Sequence, residues 1–441
     1  MGLWSYYKND LIMAKKYRIS SLISKRFMIR LVCFGAVSVL AFLYWTQQPR
    51  ISDADRNIIR RLCGQSQVIK PTCSCPERKV TSSTPSRQKP SFHKVNQAKN
   101  APEKHHIVFV KTHKAASSTV LNIIYRFAQE RGLIIILPKV GNYLKGKHLN
   151  KTNILPPPKG KKFDILCNHA IFNYTSFSSY LPPDTEYIGI VREPFQRFIS
   201  AVYYFRFTHT HKYLQQIPAR HGSKIMMKYL ENPMAWEPLN PLESQTNNRM
   251  ALDFGFPVQL FHNESLFEEY LVTLNKTFRV IMVAEKFDES LILVKRFLNW
   301  SLKDVVYIVK NKARFKPRIP QIEGKYMMNF HQVSNLDKKL YDFALKRLKN
   351  QIEKEGPDFQ KEVEYFKTLR ENVANFCSRW QRKRQLEIPP SNWSRGFTLN
   401  RRGCAVIRME EMPFVTYLQN LRKNDLARLG TNTDFMKSIP L

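Results

Sequence analysis

An α/β fold, with a central parallel sheet flanked by helices and an N-terminal transmembrane anchor ahead of it, is the architecture this sequence predicts. Three observations predict it. From His106 onward, five short apolar runs alternate with helical patterns, as in a parallel sheet covered on both faces. The first and fourth of those runs end in cationic residues immediately before a helix. Residues 27–45, "FMIRLVCFGAVSVLAFLYW", form an apolar stretch long enough for a short membrane helix.

The anchor comes first in the chain. Within it only Arg30 is charged, near one end where its long side chain can snorkel to the interface. Ahead of it stand Lys8, Lys15, Lys16, Arg18, Lys25 and Arg26 against Asp10, so the positive-inside rule leaves the N-terminus cytoplasmic. No A-x-A site follows Trp45, which favours a retained anchor over a cleaved signal peptide. Tyr6 stands where a myristoylation signal needs Ser or Thr. Residues 46–103 are rich in Ser, Thr, Pro, Lys and Gln without an apolar period, which reads as a stem. The expected organisation is thus a tail over 1–26, an anchor over 27–45, a stem over 46–103 and a lumenal domain over 104–441.

Two features agree with passage through an oxidising compartment. Glycosylation sequons occur at Asn150, Asn173, Asn263, Asn275, Asn299 and Asn392, all beyond the anchor. Six cysteines, Cys63, Cys73, Cys75, Cys167, Cys377 and Cys404, also lie beyond it, while Cys33 is in the span. Their pairing stays open. No ligand quartet accompanies the C-x-C of Cys73 and Cys75, so disulfides are favoured over zinc.

The five runs are "IVFV", "LIIILP" (133–138), "FDILCNHA" (163–170), "EYIGIV" (Glu186–Val191) and "FRVIMVAE" (278–285). Helical patterns are clearest over 118–131 and 194–207. In the first, Val120, Leu121, Ile124, Phe127 and Ala128 recur at helical spacing, Ser117 or Ser118 is the expected N-cap, and Gly132 the C′ residue. Lys111 to Ala116 then form the turn between strand and helix. Exposed N–H groups at a helix N-terminus, with Lys111, Lys114 and several hydroxyls, suit a phosphate or sulfate. A lone S-S-T is more often a simple cap, and it is the two lysines around His113 that shift the balance. The loop has no glycine and lacks the Walker pattern, which disfavours a kinase or ATPase.

"YIGIVREPFQRFISAVYYF" repeats the logic. It places Arg192 at a strand end and Pro194 at a helix N1 position. Phe195, Phe198, Val202 and Phe205 make the buried stripe, leaving Arg197, Ser200 and Tyr204 on another face. In an open parallel sheet ligands bind beyond the carboxyl ends of the strands, so Arg192 and the Lys111 loop could grip two ends of one nucleotide. An ion pair between Arg192 and Glu193 is the plainer alternative. Farther on, "NLDKKLYDFALKRLKNQIEKEG" reads as a helix ending at Gly356, part of a helical C-terminal third that covers the sheet and shapes a cleft.

At 441 residues and 43% hydrophobic, the chain can bury one large or two modest cores. Its net charge of +36 predicts negatively charged partners or substrates. Nucleic acid is the first class such a charge suggests, and the anchor argues against it.

Together "VKTHKAASST" resembles the 5′-phosphosulfate loop, and "VREPFQRFISAVYY" the 3′-phosphate segment, of Golgi sulfotransferases that use 3′-phosphoadenosine 5′-phosphosulfate (PAPS). "KTHKAASSTVLNIIYRFAQERGL", "CNHAIFN", "NRMALDFGF" and "EKFDESLILVKRFLNWSLKDVVY", in that order, are similar to the galactose 3-O-sulfotransferase family, which includes galactosylceramide sulfotransferase. The likeness covers roughly residues 106–350, and Ala115 departs from the Thr usual in vertebrate relatives. It implies a P-loop-like sulfotransferase fold, PAPS as co-substrate and no metal. By the family pattern, Lys111 and Lys114 hold the phosphosulfate, Thr112, Ser117, Ser118 and Thr119 donate to its oxygens, and Arg192 and Ser200 bind the 3′-phosphate. His169, just past a strand end, is the favoured base, with His113 as a cofactor or transition-state contact. Either histidine could instead be a structural, hydrogen-bonded one.

The expected activity is sulfation of the 3-hydroxyl of a terminal galactose on a glycolipid or glycoprotein glycan. The expected setting is the Golgi membrane, single-pass type II, with the catalytic domain lumenal, no nucleic-acid partner, and a homodimer left open. A glycosaminoglycan sulfotransferase and a non-catalytic polyanion-binding protein are the competing classes. Loops, including residues 207–236, are expected to set acceptor choice.

Overall fold

The computed structural model describes residues 101–144, 149–207, 211–219, 222–309, 324–378 and 384–432, with Met436. The tail, the anchor, nearly all of the stem, and Cys33, Cys63, Cys73 and Cys75 lie outside the described residues. The folded region takes in the last residues assigned to the stem. Glu103 accepts from the Arg131 guanidinium at 2.6 and 2.7 Å, and Asn299 Nδ2 donates to the Ala101 carbonyl.

Four parallel strands form the central sheet: β1 (Ile107–Val110), β2 (Ile165–Leu166), β3 (Glu186–Val191) and β4 (Phe278–Val283). Their spatial order is β2-β1-β3-β4. Ile107 lies opposite Ile165 on one side and Glu186 on the other, and Gly189 of β3 faces Ile281 of β4. β1 is wholly buried, as its unbroken apolar run requires of a strand covered on both faces. Because the chain moves from β1 to one side and from β3 to the other, a crevice opens at the carboxyl ends between β1 and β3.

The expected strand over 133–138 does not form. The segment touches the sheet edge through one parallel bridge, Ile135 to Ile165, with Ile136 N–H donating to the Ile165 carbonyl and the Ile134 carbonyl accepting from Asp164 and Ile165 N–H. Two features stop the pairing. The Asp164 carboxylate takes the Ile134 N–H at 2.6 Å, and Pro138 has no N–H to give.

Helix α1 (Ser117–Arg131) leaves β1 through the lysine loop. Gly132 takes the left-handed conformation expected of its C′ residue, with φ 66°. The N-cap differs from expectation: it is Ala116, left-handed at φ 60°, without a side-chain cap. Ser117 is already the first helical residue, and its hydroxyl donates back to the Thr112 carbonyl at 2.7 Å.

Helix α2 (Pro194–Phe207) follows β3 as expected. The Glu193 carboxylate accepts from the N–H groups of Phe195 and Gln196, so it caps this helix. Arg197, expected on another face than the buried stripe, is itself 1% exposed. It donates to the carbonyls of Gln245 and Thr246 and lies 3.6 Å from Asp337. Residues 207–236, expected as loops, contain α3 (Gly222–Glu231). Its Ile225, Met226, Tyr229 and Leu230 pack with Phe198, Val202 and Phe205 of α2 in one apolar cluster. A one-turn helix, α4 (Arg249–Asp253), lies wholly buried near the sheet's carboxyl edge.

Helices α5 (Phe287–Leu298), α6 (Asn335–Lys354) and α7 (Pro357–Ser378) follow β4. α5 and α6 both pack against β4, the covering role expected of the C-terminal third. α6 buries Leu336, Leu340, Ala344 and Leu348, while Phe343 of the same stripe is only half-buried. Beyond α7 come an antiparallel pair, β5 (Gln385–Ile388) and β6 (Phe397–Asn400), then α8 (Arg401–Arg408) and α9 (Glu411–Leu429). A disulfide joins Cys377 at the end of α7 to Cys404 in α8. Cys167 is free and buried.

Candidate active site

Lys111 is the first residue past β1, and it is 3% exposed. Its ammonium donates to His169 Nε2 at 2.7 Å and lies 3.2 Å from a Glu411 carboxylate oxygen. Burial pushes its pKa down, and Glu411 is the strongest influence raising it. The loop after it bends through two left-handed non-glycine residues, Lys114 at φ 62° and Ala116 at φ 60°. Such residues store strain.

Lys114 is held in place without a carboxylate. Its ammonium sits 3.6 Å from the centre of the Tyr204 ring. Burial, with Lys111 and Arg192 nearby, lowers its pKa to about 8. Arg192, beyond β3, donates from Nη1 to the Lys114 carbonyl at 3.1 Å. The two cationic motifs therefore meet across the β1–β3 crevice. Glu193 is engaged as a helix cap, so the simple Arg192–Glu193 pair is not what fixes Arg192.

The four hydroxyls of the loop are placed differently from one another. Ser117 is turned inward onto the Thr112 carbonyl. Thr112 is fully buried, and its own hydroxyl has no hydrogen-bond partner. Ser118 is exposed and donates to Glu411 at 2.6 Å, and Thr119 is half-buried. Ser200, half-buried within α2, follows Arg192 on the same side of the crevice as that helix.

Both histidines are at this edge. His169, 8% exposed, stacks on His113 with ring centres 4.1 Å apart, and Tyr143 stacks against His169 at 4.6 Å while lying 5.7 Å from His113. An isolated bridge between Tyr143 and His169 sets that second stack. Asn168 anchors the segment, accepting from Tyr125 of α1 and donating to the Ile136 carbonyl.

His113 has a carboxylate behind it. Asp253 takes its backbone N–H at 2.9 Å and its Nδ1 at 2.8 Å, while Nε2 meets the Tyr143 hydroxyl at 2.9 Å. Arg249, one turn earlier in α4, donates twice to Asp253. Burial pushes the Asp253 carboxyl up, but Arg249 and His113 outweigh it and hold it well below the usual carboxylate range. Burial and Arg249 bring His113 down to about 4 despite Asp253. Burial, Lys111 and His113 likewise push His169 well down. Near neutral pH both imidazoles are uncharged and can accept a proton.

Sequence reasoning gave no role to Asp253, Arg249, Tyr143, Asn142 or Glu411. The signal for two of them was in plain view, since Arg249 and Asp253 belong to "NRMALDFGF". Glu411 had none, lying 293 residues from its partner Ser118.

Of the sequon asparagines, Asn150, Asn275, Asn299 and Asn392 are exposed, and Asn173 and Asn263 are half-buried. The Asn173 and Asn263 side chains each cap the start of a helix.

Cations and strand-end histidines gathered at one sheet edge can hold an anionic ligand. Comparison with known proteins points the same way. The family model described as galactose-3-O-sulfotransferase matches residues 22–385. The chain is 30% identical over 288 residues to human galactose-3-O-sulfotransferase 2, covering 62% of this chain and 67% of that one. It is 27% identical over 274 residues to Bos taurus galactosylceramide sulfotransferase, covering 62% and 63%. With Mus musculus galactose-3-O-sulfotransferase 3 it shares 26% over 347 residues, covering 72% and 78%. The chain thus spans between 63% and 78% of the length of these relatives, and it belongs to the galactose-3-O-sulfotransferase family.

Proposed function

We propose that this chain transfers a sulfuryl group from PAPS to the 3-hydroxyl of a terminal galactose on a glycolipid or glycoprotein glycan. The observation that carries the reading is the meeting, at one sheet edge, of a buried lysine with two stacked histidines. The residues fit the co-substrate. Lys111, Lys114 and Ser118, with the loop's N–H groups, suit its phosphosulfate, and Arg192 with Ser200 suits its 3′-phosphate. When bound, PAPS supplies an activated sulfuryl group.

The chain's own groups then have distinct work. Lys111 donates to the oxygen that bridges phosphorus and sulfur, stabilising the charge it gains as the S–O bond breaks. An imidazole takes the proton of the acceptor hydroxyl as its oxygen bonds to sulfur. Sequence alone favoured His169 for that step, and the geometry favours His113. Asp253 fixes Nδ1 of His113 and leaves Nε2 pointing to a hydroxyl, whereas Nε2 of His169 already holds Lys111. His169 on this reading positions Lys111. The Tyr143 hydroxyl, now on His113 Nε2, stands where the acceptor hydroxyl would be.

The setting we infer is the Golgi lumen, behind the anchor over residues 27–45. The surface sequons and the Cys377–Cys404 disulfide support it. The net charge of +36 favours a second reading, transfer to a glycosaminoglycan.

The test is to supply the purified chain with radiolabelled PAPS and a panel of galactosylceramide, lactosylceramide, N-acetyllactosamine and heparan. Label at O3 of galactose is expected. Label confined to heparan would select the second reading, and no label on any acceptor would overturn both.

A further inference from the structure

The family match ends at residue 385, yet the candidate site is closed by a residue beyond it. Glu411 opens α9, and its carboxylate is 14% exposed. Three donors converge on it. Lys111 Nζ lies 3.2 Å from one oxygen, Ser118 Oγ donates to that same oxygen at 2.6 Å, and Asn142 Nδ2 donates to the other at 2.6 Å. Two of the three belong to the loop assigned to the phosphosulfate.

We propose that Glu411 is a resident anion of the phosphosulfate loop, holding Lys111 and Ser118 in their binding arrangement in the cofactor-free protein and leaving when the cofactor takes those donors. The inference rests on the PAPS reading above. The chemistry makes the two anions exclusive. A serine hydroxyl has one proton to donate, so Ser118 serves either the carboxylate or a phosphosulfate oxygen. Two of the three Lys111 protons are already directed at His169 and Glu411. A carboxylate left in hydrogen-bond range of the incoming group would add like charge where the loop gathers opposite charge.

The local structure suits such an exchange. Burial pushes the Glu411 carboxyl up, but Lys111, Ser118 and Asn142 outweigh it and keep it an anion. Glu411 is the first residue of its helix, so a change in the first turn is enough to withdraw it. The body of α9 is pinned elsewhere. Gln419 donates to the carbonyls of Pro138 and Gly141, and Arg422 to those of Pro156 and Ile135. α8 is held to α1 by Asn122, which donates to the carbonyls of Val406 and Met409. The C-terminal segment thus has a fixed body and a single charged group at the site.

The experiment measures equilibrium binding of PAPS to the full chain, to Glu411→Gln and to Asn142→Ala, with thermal melting of each. Glutamine removes the charge and one of the two acceptor oxygens while keeping the side chain's size, and Asn142→Ala loosens the carboxylate without touching a group assigned to the cofactor. Both variants should bind PAPS more tightly, Glu411→Gln by about 5-fold or more, the lower end of typical coupling between exclusive occupants. In the unaltered chain, PAPS should speed amide hydrogen exchange in the first turn of α9. Equal or weaker binding by variants that melt normally would overturn the proposal, and so would unchanged exchange in that turn. If the unaltered chain binds no PAPS, the cofactor reading fails instead, and the two failures are told apart.

Discussion

A lysine 3% exposed next to two histidines has no reason to be buried unless its charge is used. Burial lowers the pKa of Lys111, and a carboxylate 300 residues later in the chain raises it. Lys114 is in a different position, with a ring rather than a carboxylate beside it and a pKa near 8. A lysine with a lowered pKa loses its proton as pH rises through that value. Affinity of the free protein for PAPS should therefore fall as pH passes about 8, and Lys114→Arg should move the fall to higher pH. Binding titrations at pH 6.5 to 9.5 check this; an affinity flat through pH 9 would contradict it. At this scale the sequence was partly legible. Lys111, Lys114, His113, His169 and Arg192 were readable because each sits at a strand end beside a hydroxyl or helix signal. Asp253 and Glu411 were not, because they reach the loop from 140 and 293 residues away and nothing local marks them as its partners.

Among the elements, the extents of β3 and its helix α2 were legible, since an apolar run, an arginine, and a proline at N1 signal the strand end and helix start directly, whereas the burial of Arg197 was not. The failure over 133–138 has the opposite cause. Its side chains suit a strand, but the Ile134 N–H goes to the Asp164 carboxylate, a tertiary choice invisible in the segment itself. Residues 207–236 were read as loops because their apolar groups have no partner until α2 and α3 are side by side. The C-terminal elements depend on a covalent tie. The Cys377–Cys404 bond closes a segment with a sequence separation of 27, which by loop-closure entropy contributes about 3–4 kcal/mol. Cys404→Ser should lower the melting temperature by several degrees and raise proteolysis within residues 379–410 first. A variant that melts and digests like the unaltered chain would show that the bond does not hold this segment.

For the molecule as a whole, the strand order β2-β1-β3-β4 puts the reversal between β1 and β3, so the Lys111 loop and Arg192 meet there. The fold class followed from the alternation of apolar runs and helices, and the family likeness followed from the order of the motifs. Invisible in the sequence was that α9, beyond the family match, contributes a charged group to the site. The central claim is that Lys111 stabilises the departing charge and that His113 accepts the proton. The measurement that tests it most directly is the single-turnover rate of sulfuryl transfer from saturating labelled PAPS to galactosylceramide, for the unaltered chain, Lys111→Ala, His113→Ala and His169→Ala. The account predicts losses of roughly 10²–10³-fold for Lys111→Ala and 10²–10⁴-fold for His113→Ala, with His169→Ala affected less than His113→Ala. Transfer at the unaltered rate by Lys111→Ala, or a greater loss in His169→Ala than in His113→Ala, would contradict it.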